Sequence, residues 1–203
     1  MEKILADHYI SLGTDVPIWN RCFTVAPLIV VGTKEGDNYD LAPKHMATAI
    51  GLSNYFGFVC TPKHATYRNV KATGEFSVSF PLPNQIVLSS LSASPRCGER
   101  SNEKSIIRSL PTVKATSIDA LLLDHSYLYL ECKLFKIIDG FDNDSIITGK
   151  VITAFVKSNY HRDAEKDEQE MIKDNPLLAY IANGRFASVS ETFNFPFPKG
   201  FKR

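Results

Sequence analysis

The sequence predicts a β-rich fold, all-β or α+β, with a few short peripheral helices. Three observations predict it. The stretch Tyr55–Cys60 (YFGFVC) is aromatic and apolar throughout, as a buried sheet strand reads. Glu75–Phe80 (EFSVSF) alternates at period two. Residues 127–138 (YLYLECKLFKII) form a long, partly alternating run; a turn follows at 139–144 (DGFDND), and residues 145–156 return as a hairpin partner.

The chain is organised around residues 41–80. After the strand Tyr55–Cys60, Pro62 in the sequence TPKH halts the ladder. Ala65–Thr73 then reads as a short helix with Tyr67, Val70 and the stem of Lys71 on one side. Gly74 suits its left-handed C-cap. The helix start leaves backbone N–H groups unpaired, with partial positive charge directed outward. Lys63, His64, Thr66 and Arg68 surround that start, which makes it a candidate phosphate seat. The competing reading is an ordinary connection in which Thr66 caps its own helix and the cations are solvated.

The remaining elements follow in order. Residues 1–19 form a lead-in with loose helical spacing up to Pro17, and Ile18 with Trp19 are expected to cover an edge of the sheet. Residues 22–31 (CFTVAPLIVV) are the first strand, with Pro27 marking an edge position or a bulge. Residues 32–38 (GTKEGDN) read as a hairpin loop; their Gly-Thr-Lys lacks the spaced upstream glycine of a P-loop. The next strand carries residues 42–48. Past Phe80 come a turn at 81–84, a helix at 85–91 with Asn84 as its N-cap, a polar loop at 92–100 and a short helix at 102–108. Residues 163–173 (DAEKDEQEMIK) suit a charged surface helix, residues 175–182 a small amphipathic turn or helix, and Arg185–Val189 one more strand.

The tail, residues 193–201 (FNFPFPKGF), holds four phenylalanines between prolines and cannot form a regular helix. A solvated tail rarely concentrates aromatics. It is expected to pack as an extended arm, on its own barrel or across a partner.

Composition narrows the function classes. The 203 residues suit a single domain, and 44% hydrophobic content supports a full core. Net charge is +1, so no global field draws in nucleic acid or an anionic membrane. No apolar run approaches a membrane span, and the N-terminus lacks a signal-peptide pattern, so a cytoplasmic protein is expected. Cys22, Cys60, Cys97 and Cys132 are well separated, which favours reduced thiols over a disulfide frame. Cys60 and His64 have no second pair at zinc spacing, so no metal is expected. Arg96 and Arg100 flank Cys97, but an exposed loop cysteine without a role is the better reading. No GxGxxG follows a strand, no G-x-S-x-G elbow is present, and no catalytic dyad is recognisable.

Residues 65–79 (ATYRNVKATGEFSVS) resemble the pattern D-T-x-x-N-I-x-x-T-G-E-F-x-V-N of the flavin reductase-like family, with Thr66, Asn69 and residues 73–76 (TGEF) matching. Residues 42–49 (APKHMATA) look like that family's flavin-contacting strand and loop. Weaker matches at 101–105, 130–134 and 147–151 keep the order over about residues 20–157. Two positions depart from the pattern: His45 stands where the family often has a small hydroxyl residue, and only Pro62 stands where it has a second proline.

The resemblance implies an FMN-binding split β-barrel, a homodimer, and one domain over residues 1–203. Its core would span about 20–157, with 158–203 as a helical elaboration and aromatic arm. It implies an NAD(P)H-dependent flavin reductase that transfers hydride from nicotinamide C4 to flavin N5, with FMN, or else FAD, as cofactor. By matching position, Lys44, His45, Met46, Ala47 and Thr48 would run along the flavin ring and its ribityl chain. Thr61, His64, Thr66 and Asn69, with charge from Lys63 or Arg68, would hold the phosphate. No catalytic residue is assigned, because the cofactor supplies the chemistry. The alternatives are a flavin-binding electron carrier and a barrel serving as a non-catalytic binding module.

Overall fold

A computed structural model describes residues 9–96, 104–162 and 166–200. Cys97, Phe201, the first eight residues and the starts of the helices expected at 102 and 163 lie outside the described residues.

Seven antiparallel strands make the main sheet: β2 (Ile29–Glu35), β3 (Asn38–Lys44), β4 (Ala47–Ala49), β5 (Tyr55–Cys60), β6 (Glu75–Phe80), β9 (Leu128–Phe141) and β10 (Asp144–Val156). Their order is β3-β2-β6-β9-β10-β5-β4. The two border strands, β3 and β4, are therefore consecutive in the chain and joined only by His45 and Met46. The sheet must curl until its borders meet, which makes it a split barrel with a seam at that bend. The Met46 carbonyl accepts from the Val59 amide (2.8 Å) and ties the bend to β5.

Inside the barrel pack Ile29, Val31, Phe56, Phe58, Val70, Phe76, Val78, Cys132 and Ile147. Val30 and Leu41 point the other way, into a second cluster with Ile107, Leu110 and Leu123. β2 is thus buried on both faces, which explains its unbroken apolar start. The strands β7 (Thr112–Lys114) and β8 (Leu121–Leu123) form a small hairpin over that outer cluster. Helix α1 (Ala65–Thr73) packs on β2 and β3, with Val70 in the core and Gly74 as its C-cap at φ +72°. α2 (Ile86–Leu91) follows a short 3-10 turn at Pro83–Gln85, so Asn84 is not its cap; the Gln85 side chain accepts from the Leu82 amide and donates to the Asp124 carbonyl.

Glu131 is fully buried on β9. Its carboxylate accepts from the Thr116 amide (2.8 Å), the Thr116 hydroxyl (3.0 Å) and the Ser117 amide (2.6 Å), which fixes the β7–β8 loop. Cys22, Cys60 and Cys132 are free thiols. No helix among the described residues is long and apolar enough to cross a membrane.

Four expectations need correction. The strand expected at 22–31 starts later, as the two-residue β1 (Ala26–Pro27) and then β2. β2 runs through Gly32, Thr33 and Lys34, and the hairpin turn is only Gly36–Asp37, between the paired Glu35 and Asn38. Gly32 belongs to the strand because a Cβ there would lie 2.0 Å from the Leu121 carbonyl oxygen; its bareness lets β8 approach. The expected strand at 42–48 breaks at His45–Met46. Residues 175–182 are not helical: they contain β11 (Leu177–Ala182), which pairs with β1 on one side and with β12 (Arg185–Val189) on the other. Six residues between Asn-Pro and Asn-Gly are too few for a stable helix and suit a hairpin arm.

The charged helix is α3 (Glu168–Asp174), N-capped by Asp167, whose carboxylate accepts from the Gln169 and Glu170 amides. The arm leaves α3 through Thr192, whose amide and hydroxyl donate to the Gln169 side-chain oxygen. Phe193, Phe195 and Phe197 are 86%, 71% and 48% exposed.

Candidate functional site

The seam places two hollows side by side. The end of β3 and the start of α1 line the smaller, of about 290 Å³, with Lys44, His64 and Thr66. The bend and the small sheet line the larger, of about 720 Å³, with His45, Met46, Trp19, Phe23, Tyr180 and Arg185. Lys44 and His45, neighbours in sequence, face different hollows because the strand turns between them.

In the smaller hollow, Thr66 is 2% exposed in the first turn of α1. His64 is the N-cap residue, and its side chain makes no capping bond, so it remains available to a ligand. Thr66 does not cap its own helix. Burial first, and then the Lys44 ammonium, hold the His64 imidazole below the ordinary histidine range. Burial pushes the Cys60 thiol up, while the Lys44 ammonium beside it pulls the other way.

A charge cluster of Asp40, Arg96 and Lys104 lines the same hollow. The Lys104 ammonium donates to the carbonyls of Leu41 (2.7 Å) and Ser92 (2.5 Å) and lies 3.4 Å from Asp40. Arg96 pairs with Glu35 at 2.7 Å and with Asp40 at 3.6 Å. Burial pulls the Lys104 pKa down, against the opposing pull of Asp40. Asp40 is thus neutralised from two sides, which leaves Lys44, His64, Thr66 and the first amides of α1 as the donor set. That set fits a phosphate monoester.

The larger cleft is walled by rings. His45 stacks on Tyr180 with centroids 4.0 Å apart and planes 18° apart, and Phe186 meets Tyr180 edge-on. Burial first, and then the Lys44 ammonium, lower the His45 pKa. A cleft of this size with aromatic walls and few polar groups fits a planar ring.

The other expected site residues are placed elsewhere. Ala47 sits in the barrel core. Thr48 is exposed on β4, its hydroxyl donating to the Ala49 carbonyl. The Thr61 hydroxyl accepts from the Lys63 amide at 3.5 Å. Arg68 turns back to the Lys63 carbonyl (2.5 Å), and Asn69 turns inward and donates to the Thr33 hydroxyl (3.0 Å). Sequence reasoning missed Trp19, Phe23, Tyr180 and Arg185. The Asn183-Gly184 pair between two apolar runs was the available signal for the hairpin that carries the last two.

Comparison with known proteins decides the family: the flavin reductase-like domain matches residues 21–190. The chain belongs to that family. Among solved structures, 2-nitrobenzoate 2-nitroreductase from Pseudomonas fluorescens is similar at a TM-score of 0.74 and 16% identity, over 96% of this chain and 98% of that one. The FMN-binding protein from Thermus thermophilus is similar at 0.72 and 19%, over 92% and 98%. Flavoredoxin from Methanosarcina acetivorans is similar at 0.72 and 18%, over 95% and 97%. At these identities the likeness establishes the fold, the split barrel described above. No curated protein matches the sequence. Membership of the flavin reductase-like family supports a flavin-related function for this protein.

Proposed function

We propose that this protein binds FMN across the seam and acts as an NAD(P)H-dependent flavin reductase. One observation carries the reading: a cationic hydroxyl-bearing hollow and an aromatic cleft meet at the same two-residue bend. Bound flavin would supply the redox chemistry, taking hydride at N5 from a reduced nicotinamide. Lys44, His64, Thr66 and the α1 amides would hold the phosphate, and the backbone of His45 and Met46 would border the ring. Tyr180 and Trp19 would exclude water from the cleft. A terminal phosphate suits the small hollow, which favours FMN over FAD.

A homodimer belongs to the same reading. Phe135, Ile138, Phe141, Ile152 and Phe155 are exposed along β9 and β10, and the arm adds three more aromatic rings. The free thiols suit a reducing compartment, in keeping with a cytoplasmic location.

The test is an absorption spectrum of the freshly purified protein, followed by NADH and NADPH oxidation with added FMN. Flavin bands and steady-state turnover are expected. Bands without turnover would make the protein a flavin-binding electron carrier, and failure to take up FMN would end both readings.

A further inference from the structure

Asn183 and Gly184 make the turn between β11 and β12, and theirs is the single Asn-Gly pair of the chain. The pairing of Ala182 with Arg185 closes the hairpin around them, and both turn residues are exposed. Gly184 holds φ +72°, the left-handed conformation that such a turn needs. A Cβ on Gly184 would meet nothing within 4 Å, so the space around it is open. Its N–H donates to no partner among the described residues. The Tyr180 hydroxyl donates to the Asn183 side-chain oxygen at 2.8 Å, and the Tyr180 ring is itself held flat against His45.

We infer that Asn183 is a self-modification site, where the turn converts asparagine to aspartate or isoaspartate with water as the only co-reactant. The Gly184 amide nitrogen gives its proton to solvent and attacks the side-chain carbonyl carbon of Asn183. The tetrahedral carbon expels its amino group, which leaves as ammonia and closes a five-membered imide. Water opens the imide at either carbonyl and leaves a carboxylate. Nothing is oxidised or reduced. Negative charge gathers on Oδ1 while the carbon is tetrahedral, and the Tyr180 hydroxyl donates to that atom. Glycine adds no side chain to obstruct the attack.

Asn143 is the contrasting case. It is exposed in the β9–β10 turn, but Asp144 follows it, and no side-chain donor reaches its amide among the described residues. The product at 183 would alter the larger cleft, because Asn183 and Arg185 both line it: a carboxylate would stand beside the guanidinium. An isoaspartate would also lengthen the backbone of the turn that joins the strand of Tyr180 to β12.

The folded protein is held at mildly alkaline pH, sampled over days and mapped by peptide mass spectrometry, which reads the mass gain as each amide becomes an acid. Asn183 should convert well ahead of Asn143. Tyr180→Phe keeps a ring against His45 and removes the donor, so conversion at 183 should slow about fivefold, the scale of one neutral hydrogen bond. In urea the two proteins should convert at the same rate, because the donor is held in place only by the fold. Conversion of Asn183 no faster than that of Asn143 overturns the inference. So does a folded Tyr180→Phe rate equal to or above the parent's, or a deficit that persists in urea. No flavin enters the measurement, so its outcome stands apart from the proposed activity.

Discussion

His45 lies flat against Tyr180, centroids 4.0 Å apart, so a residue of the barrel seam is clamped by a strand from the C-terminal hairpin. Stacked pairs of this kind contribute about 1 kcal/mol beyond their buried area. Tyr180→Leu is expected to cost roughly that much in urea denaturation. It should also move the His45 titration upward, because the imidazole gains solvent; a proton NMR titration reads that shift.

The same burial makes stability depend on pH. The His45 and His64 pKa values are lowered in the fold, so on acidification the unfolded chain takes up its protons first. Stability should hold above about pH 6.5, fall as pH drops through the lowered folded values, and level off below them. His45→Phe keeps a ring against Tyr180 and removes one of the two titrations. Its urea midpoint should therefore fall less than that of the parent between neutral pH and about pH 5.

Lys44 separates phosphate recognition from ring recognition. Lys44→Gln should weaken FMN binding about tenfold, the scale of a charge-assisted bond in a half-buried seat. Riboflavin, which has no phosphate, should bind both proteins alike. Fluorescence titration with the two flavins makes the comparison, and equal loss for both would place Lys44 at the ring instead.

Glu131 answers to the loop at Thr116 and Ser117 through three donors. Glu131→Gln keeps the volume but turns an acceptor oxygen into a donor facing an amide. It should destabilise the protein by about 2–3 kcal/mol in equilibrium urea unfolding.

The arm should matter only between chains. Three of its four phenylalanines, Phe193, Phe195 and Phe197, are 86%, 71% and 48% exposed, so truncation after Thr192 should leave the unfolding midpoint of the barrel nearly unchanged. Sedimentation equilibrium should show the dimer weakened or lost. An unaltered dimer would assign the interface to β9 and β10 alone.

Much of the frame was legible where one short segment decides its own structure. β5, α1, Gly74 and β6 stand at the residues their sequence marks, because the apolar run, the Pro62 stop and the αL glycine each act within a few positions. β2 was misjudged because Gly32 looks like loop punctuation until the Leu121 carbonyl is seen against it. Asn69 matched a family pattern, yet its partner is Thr33 inside the fold, and no local rule reveals that. The aromatic cleft was illegible for a simpler reason: Trp19, His45 and Tyr180 are far apart in the chain and meet only after the small sheet docks on the barrel.

The two residues that join the borders of the main sheet also divide the hollows. An insertion or deletion between Lys44 and Ala47 would shift both borders at once and spoil phosphate seat and cleft together. Changes at the two ends of the described fold, before β1 and after β10, would leave those borders in place. Those ends furnish Trp19 and the hairpin of Tyr180 and Arg185, and they can be rewritten while the barrel keeps its circumference.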